Sequence, residues 1–110
     1  MNLMIEYSDN FLNEAKKLSK KFKLIKSDLK KAVEELQTKK DFGAYLGYNL
    51  YKKRVPNSSI PTGKSGGFRV IIYQKVEEKI VLISIYSKTQ KDTLNDEELQ
   101  SILKEYMDLK

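Results

Sequence analysis

Two β-rich segments separated by only two residues constrain the fold of this chain more than any other feature. Residues 68–76 and 79–87 are rich in Val, Ile, Phe, Leu and Tyr, and only Glu77 and Glu78 lie between them. A connection this short joins antiparallel neighbours, because parallel strands need a crossover of about a dozen residues or more. The pattern therefore predicts two long antiparallel strands joined by a tight turn.

Three helices are predicted from the spacing of the remaining apolar residues. We expect Asp9 to cap the first helix, Ser27 the second, and Asn95 or Asp96 a last helix that runs to about residue 107. The apolar faces of the three helices are formed by Phe11, Ala15, Leu18 and Phe22, by Leu29, Ala32, Val33 and Leu36, and by Leu99, Ile102, Leu103 and Tyr106.

Two further strands complete the predicted set of elements. Residues 1–7 form a short apolar run, and residues 48–55 form a strand that ends before Pro56, which cannot donate to a β-ladder. The order is strand, helix, helix, three strands, helix. It predicts one α+β domain over residues 1–110, in which a helical hairpin covers one face of an antiparallel sheet and the other face is open to a ligand.

Composition excludes several classes of chemistry. The chain has no histidine and no cysteine, which rules out histidine acid–base catalysis, a Ser-His-Asp triad, disulfides and an ordinary zinc site. Its basic region has no carboxylate cluster suited to magnesium, so we predict no metal and no cofactor. No segment approaches the ~20 apolar residues of a membrane span, and the absence of cysteine is consistent with a cytoplasmic protein without membrane contact.

Positive charge is concentrated in the middle of the chain. The net charge is +6, and residues 42–91 contain nine basic residues against two acidic ones, whereas residues 92–110 contain two against six. Such a field attracts polyanions with a strong dependence on salt. The alternative is a basic surface that serves only solubility.

The two arginines of the chain, Arg54 and Arg69, both fall within predicted strands among nineteen lysines. A guanidinium grips a phosphate with two parallel hydrogen bonds, whereas an ammonium acts as a point charge. The pair therefore suggests a site for a sugar-phosphate backbone. Alternatively, both are ordinary surface cations that pair with Glu77 or with the acidic last helix.

Side-chain alternation suggests which cations share a surface. Lys52 and Arg54 lie on one face of their strand, and Tyr86 and Lys88 are aligned if the last strand extends that far. Because one sequence does not fix the register, we state as a hypothesis that these four residues and Arg69 meet on one exposed patch.

The glycine-rich segment at residues 63–67 is not a nucleotide-binding P-loop. Ser58 occupies the position where that motif needs a glycine, and the segment leads into a strand instead of a helix. Adjacent glycines allow a close approach of the backbone, and the loop amides with Lys64 are able to hold a phosphate. A plain flexible hairpin loop is the alternative.

Three motifs together resemble the toxins of the RelE/ParE superfamily, most closely the HigB-like branch. They are Leu-Tyr-Lys-Lys-Arg-Val at residues 50–55, Gly-Lys-Ser-Gly-Gly-Phe-Arg at 63–69 and Ile-Tyr-Ser-Lys at 85–88. The resemblance implies the RelE-like fold and the toxin of a type II toxin–antitoxin pair. Such a toxin typically cuts mRNA on the ribosome, so the implied partners are an antitoxin, the ribosome and mRNA.

The resemblance also implies a set of site residues. The catalytic set consists of Lys52, Arg54, Arg69, Tyr86 and Lys88. The additional RNA-binding set consists of Lys53, Lys64, Ser65 and Lys91. Cleavage would begin with attack of the RNA 2′-OH on the adjacent phosphorus. The arginines would stabilise the added negative charge, and a lysine of the catalytic set (Lys52 or Lys88) would accept the proton.

Two other functions remain open at this point. A ParE-like inhibitor of DNA gyrase has the same fold, and fold alone does not decide function. A non-catalytic RNA-binding module would bind RNA with a steep salt dependence and leave it uncut.

Overall fold

A five-stranded sheet forms the centre of the structure, a computed structural model that describes residues 3–61, 66–90 and 94–108. In chain order the elements are β1 (Met4–Tyr7), α1 (Asp9–Ser19), α2 (Ile25–Lys39), β2 (Ala44–Gly47), β3 (Leu50–Val55), β4 (Phe68–Val76), β5 (Lys79–Ser87) and α3 (Asp96–Asp108). In space the strands follow the order β1-β5-β4-β3-β2. The predicted α+β class and the order of helices are confirmed.

The pairing of β1 differs from the predicted antiparallel sheet. β4 pairs with β5 and β3 pairs with β4 in antiparallel fashion, as their connections require. β1, however, runs parallel to β5, with Met4 opposite Lys79 and Tyr7 opposite Leu82. β1 is separated from β5 by most of the chain, so no short turn dictates its direction.

A short strand, β2, occupies a region where the sequence predicted no strand. β2 pairs with β3, and Gly47 lies opposite Leu50. The residues between them, Tyr48 and Asn49, have φ values of 55° and 62° and form the turn. A two-residue hairpin turn with positive φ at both positions favours the sequence Asn-Gly. Because a tyrosine stands at the first position, the sequence pattern did not reveal this turn. The predicted strand at 48–55 therefore begins two residues late, at Leu50.

Helices pack on both faces of the sheet, but unequally. On one face, α1 and α2 bury a large cluster that includes Phe11, Leu18, Phe22, Ala32, Leu36, Val70, Ile72 and Leu82. On the other face, α3 packs through Leu99, with Ile102, Leu103 and Tyr106 only partly buried. The face predicted to be open is thus partly covered, because the apolar stripe of α3 needs a surface to bury against.

The helix ends correct two predictions and confirm a third. Ser8, not Asp9, caps α1, since its Oγ accepts a hydrogen bond from the Phe11 N–H at 3.0 Å. α2 begins at Ile25, so Ser27 lies inside the helix and does not cap it. Asn95 caps α3 as predicted, accepting from the Glu98 N–H at 2.8 Å while Glu98 accepts in return.

None of the helices described here has both the length and the apolar character that crossing a bilayer would require.

Candidate functional site

Arg54, Arg69 and Tyr86 form a row across three neighbouring strands. Arg54 of β3 lies directly opposite Arg69 of β4, and Arg69 lies directly opposite Tyr86 of β5. Directly opposite residues of an antiparallel pair project from the same face of the sheet. We call these three residues the Arg–Arg–Tyr row. It lies on the face that α3 covers in part.

The backbone pattern brings the two arginines especially close. The Asn49 carbonyl accepts from the Gln74 N–H across the β3–β4 pair at 2.9 Å, so residues 51, 53 and 55 also direct their backbone groups toward β4. Arg54 has the opposite parity and directs its backbone groups away from β4. Arg54 and Arg69 therefore exchange no backbone hydrogen bonds, and in such pairs the side chains are closer, with Cα atoms about 4.5 Å apart.

Two like charges in this position carry a cost for folding. Directly opposed like charges destabilise a sheet, and the lysine-rich composition offers no general reason to place arginines here. Two guanidiniums carried by directly opposite residues do match the several oxygens of a phosphodiester, since each fork donates two hydrogen bonds. The arrangement is therefore well suited to binding an anion.

The row is graded in exposure, which corrects the expectation of a fully exposed patch. Arg54 is exposed, whereas the side chains of Arg69 and Tyr86 are only 2% and 7% exposed. Nη1 of Arg69 donates to the Phe68 carbonyl at 3.2 Å. Arg54 is thus the exposed end of the row, and the other two members, Arg69 and Tyr86, are buried.

Lys52 and Lys88 lie near the row and are partly buried. Lys52 is two residues before Arg54 on the same strand, opposite Ile71, and so projects from the same face. The Lys88 N–H donates to the Gly67 carbonyl at 3.0 Å, which extends the β4–β5 ladder by one step past the Phe68–Ser87 pair. Both ammonium groups therefore belong to the end of the sheet that carries the arginines.

Lys53 lies apart from this site, so its predicted contact with RNA finds no support in the arrangement of these residues. It projects from the opposite face, where it is 4% exposed. Its Nζ lies 3.4 Å from Glu35 Oε1 and 3.7 Å from Asp41 Oδ2. An ammonium that is buried and paired with two carboxylates holds β3 to α2 and to the following loop and is not available to a phosphate.

The glycine-rich segment is described only at its end. Lys64 and Ser65 lie outside the described residues, as does Lys91, so their predicted roles stay predictions. A Cβ at Gly67 would collide with the Val55 carbonyl oxygen. The predicted close backbone approach therefore occurs within the protein, between the start of β4 and the end of β3.

Sequence reasoning missed a β-bulge in β5. Ile71 of β4 lies opposite Ser84, but the next residue, Ile72, lies opposite Leu82. Ile83 is thus an extra residue in β5. A bulge of this kind shifts the alternation of every side chain that follows it.

This bulge determines which way Tyr86 points. Before the bulge, Leu82 packs in the cluster beneath α1 and α2; after it, Ile85 does, and Tyr86 packs in the cluster of the opposite face. Strict alternation from Leu82 would send Tyr86 into the core beneath α1 and α2. Tyr86 therefore lies beside Arg69 only because β5 is bulged.

Comparison with known proteins agrees with this fold. The family model described as the RelE toxin of the RelE / RelB toxin-antitoxin system matches residues 11–109. The chain belongs to this family of RelE toxins. Among solved structures it is similar to the Escherichia coli toxin RelE, a double arginine-to-alanine mutant in the free state. That structure has 17% sequence identity and a TM-score of 0.58, over 84% of this chain and 90% of that one. Searched against curated proteins, the sequence has no significant match.

Membership in the family defines the protein as a toxin of a toxin–antitoxin system, which implies an antitoxin as its partner. The match to the E. coli structure covers most of both chains, and at this identity it establishes the fold.

Proposed function

We propose that this toxin is a ribosome-dependent endoribonuclease that cuts mRNA without a metal ion. The observation that carries the proposal is the direct opposition of Arg54 and Arg69 beside Tyr86. The RelE family match supports the assignment to an RNA-cutting toxin. The assignment to the HigB-like branch stays a prediction from the three sequence motifs.

Cleavage proceeds by transfer within the RNA backbone. The 2′-oxygen attacks the adjacent phosphorus, a proton leaves the 2′-OH, and the bond to the 5′-oxygen of the next nucleotide breaks as that oxygen gains a proton. The products are a 2′,3′-cyclic phosphate and a free 5′-OH. At the transition state the phosphorus is surrounded by additional negative charge, which the paired guanidiniums stabilise.

The graded exposure of the row suggests an order of contacts. Arg54 is exposed and makes the first contact with the phosphate. Arg69 is buried in the RNA-free protein, so productive binding has to uncover its guanidinium. Tyr86 is also buried and has to be uncovered, after which it either stacks on a base next to the scissile bond or takes part in proton transfer. Lys52 and Lys88 are the candidate proton acceptors.

Dependence on the ribosome fits the small number of groups in this site. The described residues contain no histidine, and the row offers two arginines and a tyrosine without an obvious strong base. Much of the rate of such a reaction comes from holding the 2′-oxygen in line with the leaving oxygen. Ribosomal RNA that fixes the mRNA would supply that alignment, and the toxin would supply the positive charge.

The test uses conservative variants of the buried arginine. Arg69→Gln and Arg69→Lys keep much of the side-chain volume, and Lys75→Ala, an exposed lysine near the other end of β4, is the matched control. Each variant is induced in cells, and 5′ ends of ribosome-bound mRNA are mapped. We expect the control to cut mRNA and arrest growth, and Arg69→Gln to do neither.

Three results would change or overturn the proposal. Undiminished mRNA cleavage by folded Arg69→Gln would remove the row from the chemistry. DNA double-strand breaks without transcript cleavage would favour the gyrase inhibitor, and RNA binding without any cleavage would favour a non-catalytic module.

The antitoxin is proposed to neutralise the toxin at the same face of the sheet. It would either cover the Arg–Arg–Tyr row or displace α3, whose first turn carries Asp96, Glu97 and Glu98. α3 is the more weakly held helix, since only Leu99 among its described residues is buried. The structure of the complex would distinguish these two modes.

A further inference from the structure

One carboxylate outside the site, Glu14 of α1, holds the segment of β5 that turns Tyr86 toward the arginines. β1 ends at Tyr7, opposite Leu82, and the last backbone bond along this edge runs from the Ser8 N–H to the Leu82 carbonyl at 3.0 Å. From Ile83 onward, no strand among the described residues lies beside β5 on this side. Its backbone groups there need other partners.

Side chains of α1 take the place of the missing strand. The Ile83 carbonyl accepts from Ser8 Oγ at 3.1 Å and from Asn10 Nδ2 at 3.0 Å. The Ile85 N–H donates to Glu14 Oε1 at 3.1 Å. The backbone groups on both sides of the bulge are thus bound by the first turns of α1.

The same oxygen of Glu14 binds the second residue of the bulge. Oε1 also accepts from Ser84 Oγ at 2.9 Å and from Asn10 Nδ2 at 3.0 Å. Three donors therefore converge on one carboxylate oxygen, and two of them belong to consecutive residues of β5. This is a specific clamp on the bulged segment, because an ordinary strand edge would offer one backbone acceptor at this point.

Keeping a carboxylate in this position has a free-energy cost, which an uncharged hydrogen-bond acceptor would avoid. Burial raises the pKa of Glu14, although the hydrogen bonds from Ile85, Ser84 and Asn10 and the nearby charge of Lys17 oppose that effect. A residue that keeps a desolvated charge in place of an uncharged acceptor suggests that the hydrogen bonds it makes are important.

We propose that Glu14 is a positioning residue for RNA cleavage. By binding the Ser84 hydroxyl and the Ile85 N–H, it fixes the bulge that sets Tyr86 beside Arg69. This inference rests on the proposed function, since Tyr86 matters only if the row acts on RNA. Glu14 itself lies on the opposite side of the sheet, with α1, and does not touch the substrate.

The experiment compares three variants of Glu14 with one control. Glu14→Gln keeps an oxygen in the same place, Glu14→Ala removes it, and Glu14→Asp keeps the charge on a side chain one methylene shorter. Glu34→Ala, at an exposed glutamate of α2, is the control. The intact chains are studied by NMR for the exchange rate of the Ile85 amide and for contacts between the Tyr86 ring and Arg69.

The same proteins are assayed for single-turnover cleavage of mRNA on programmed ribosomes. We expect Glu14→Ala and Glu14→Asp to slow cleavage by about ten- to a hundredfold at saturating protein, because small misplacements of a reacting group have effects of this size. Half-saturation should change little. Exchange of the Ile85 amide should accelerate, and the contacts between Tyr86 and Arg69 should weaken.

Rescue by the conservative variant separates positioning from general stability. Glu14→Gln should cut mRNA at nearly the wild-type rate, as should Glu34→Ala. If Glu14→Ala does not fold, Glu14→Asp decides the matter alone. A folded Glu14→Asp with wild-type cleavage, a protected Ile85 amide and intact contacts between Tyr86 and Arg69 would overturn the inference.

Arg69→Gln, assayed in parallel, distinguishes the two possible failures. Wild-type protein that leaves mRNA on programmed ribosomes uncut would refute the proposed function, and full activity of Arg69→Gln would remove the row from the chemistry, whatever the Glu14 variants do. Loss of activity in Arg69→Gln together with wild-type behaviour of both Glu14→Ala and Glu14→Asp would refute only the role of Glu14.

Discussion

Lys53 and Arg54 are neighbours in sequence with the same charge, yet their side chains lie in opposite environments. Lys53 is buried against α2 and the loop that follows it, with two carboxylates beside its ammonium. Arg54 is exposed and lies opposite a second arginine. The face to which each cation projects decides which charge it meets there: two carboxylates for Lys53 and a second arginine for Arg54.

Loss of the positive charge should therefore have different consequences at Lys53 and at Arg54. Removing the ammonium of Lys53 leaves two carboxylates without their partner, so the cost falls on stability. Removing the guanidinium of Arg54 relieves a like-charge contact, so the fold should tolerate the change while phosphate binding suffers. Functional sites often keep such locally unfavourable arrangements.

The largest expected effect is on cleavage by Arg54→Ala. We expect a loss of about a hundred- to a thousandfold in single-turnover cleavage on programmed ribosomes, by analogy with the removal of one donor to a transition-state oxyanion. The melting temperature should not fall, because a like-charge pair has been removed. A large fall in melting temperature with normal cleavage would reverse the roles assigned to Lys53 and Arg54.

The next effect is on the stability of Lys53→Met. Breaking a fully buried ion pair costs about 3–5 kcal/mol, but Glu35 and Asp41 are 46% and 63% exposed, which reduces the cost. We expect the loss of these ion pairs to lower the free energy of unfolding, measured with urea, by about 1–2 kcal/mol. Cleavage by the folded fraction should be normal, and a specific loss of cleavage would contradict the account.

A smaller difference should appear in the salt dependence of RNA binding. Each phosphate contact contributes a slope of about −0.7 in log affinity against log salt for single strands. Arg54→Ala should reduce the slope by about one contact, and Lys53→Met should leave it unchanged. Equal slopes for the two variants would show that RNA does not bind preferentially to the face of β3 that carries Arg54.

The smallest effect concerns a third charge held by the fold, the carboxylate of Glu14. Burial raises its pKa above the ordinary value of 4.5, so the folded state binds the proton more tightly than the unfolded state. Its contribution to stability is complete below that ordinary value and declines as the pH rises through the raised pKa. Wild type should therefore gain stability relative to Glu14→Gln as the pH falls from neutrality, measured by urea unfolding at each pH. A difference that does not change with pH would contradict this.

Much of the fold could be predicted from sequence because local rules determine it. The two-residue connection dictated the β4–β5 hairpin, and Asn95 or Asp96 marked the start of α3. The direction of β1 and the existence of β2 could not be obtained in this way. β1 has no short connection to its partner, and the Tyr48-Asn49 turn lacks the usual sequence signal.

The site was predictable only in part, for a related reason. Alternation separates Lys53 from Lys52 and Arg54 within one strand. It does not reveal that Glu35 and Asp41 lie on the face to which Lys53 projects. Alternation also fails across a bulge, so the orientation of Tyr86 depends on a residue that the pattern does not mark. Glu14 is more than sixty residues from Ser84 and Ile85, and only the tertiary structure brings them together.

The most direct test of the central claim is the structure of the toxin on a ribosome with an mRNA that carries a 2′-O-methyl group at the cleavage position, which prevents attack. We expect the scissile phosphate to lie between Arg54 and Arg69, with guanidinium nitrogens of both about 2.7–2.9 Å from its oxygens and Arg69 uncovered. A scissile phosphate bound on the face of Lys53, or beyond the reach of both arginines, would contradict it.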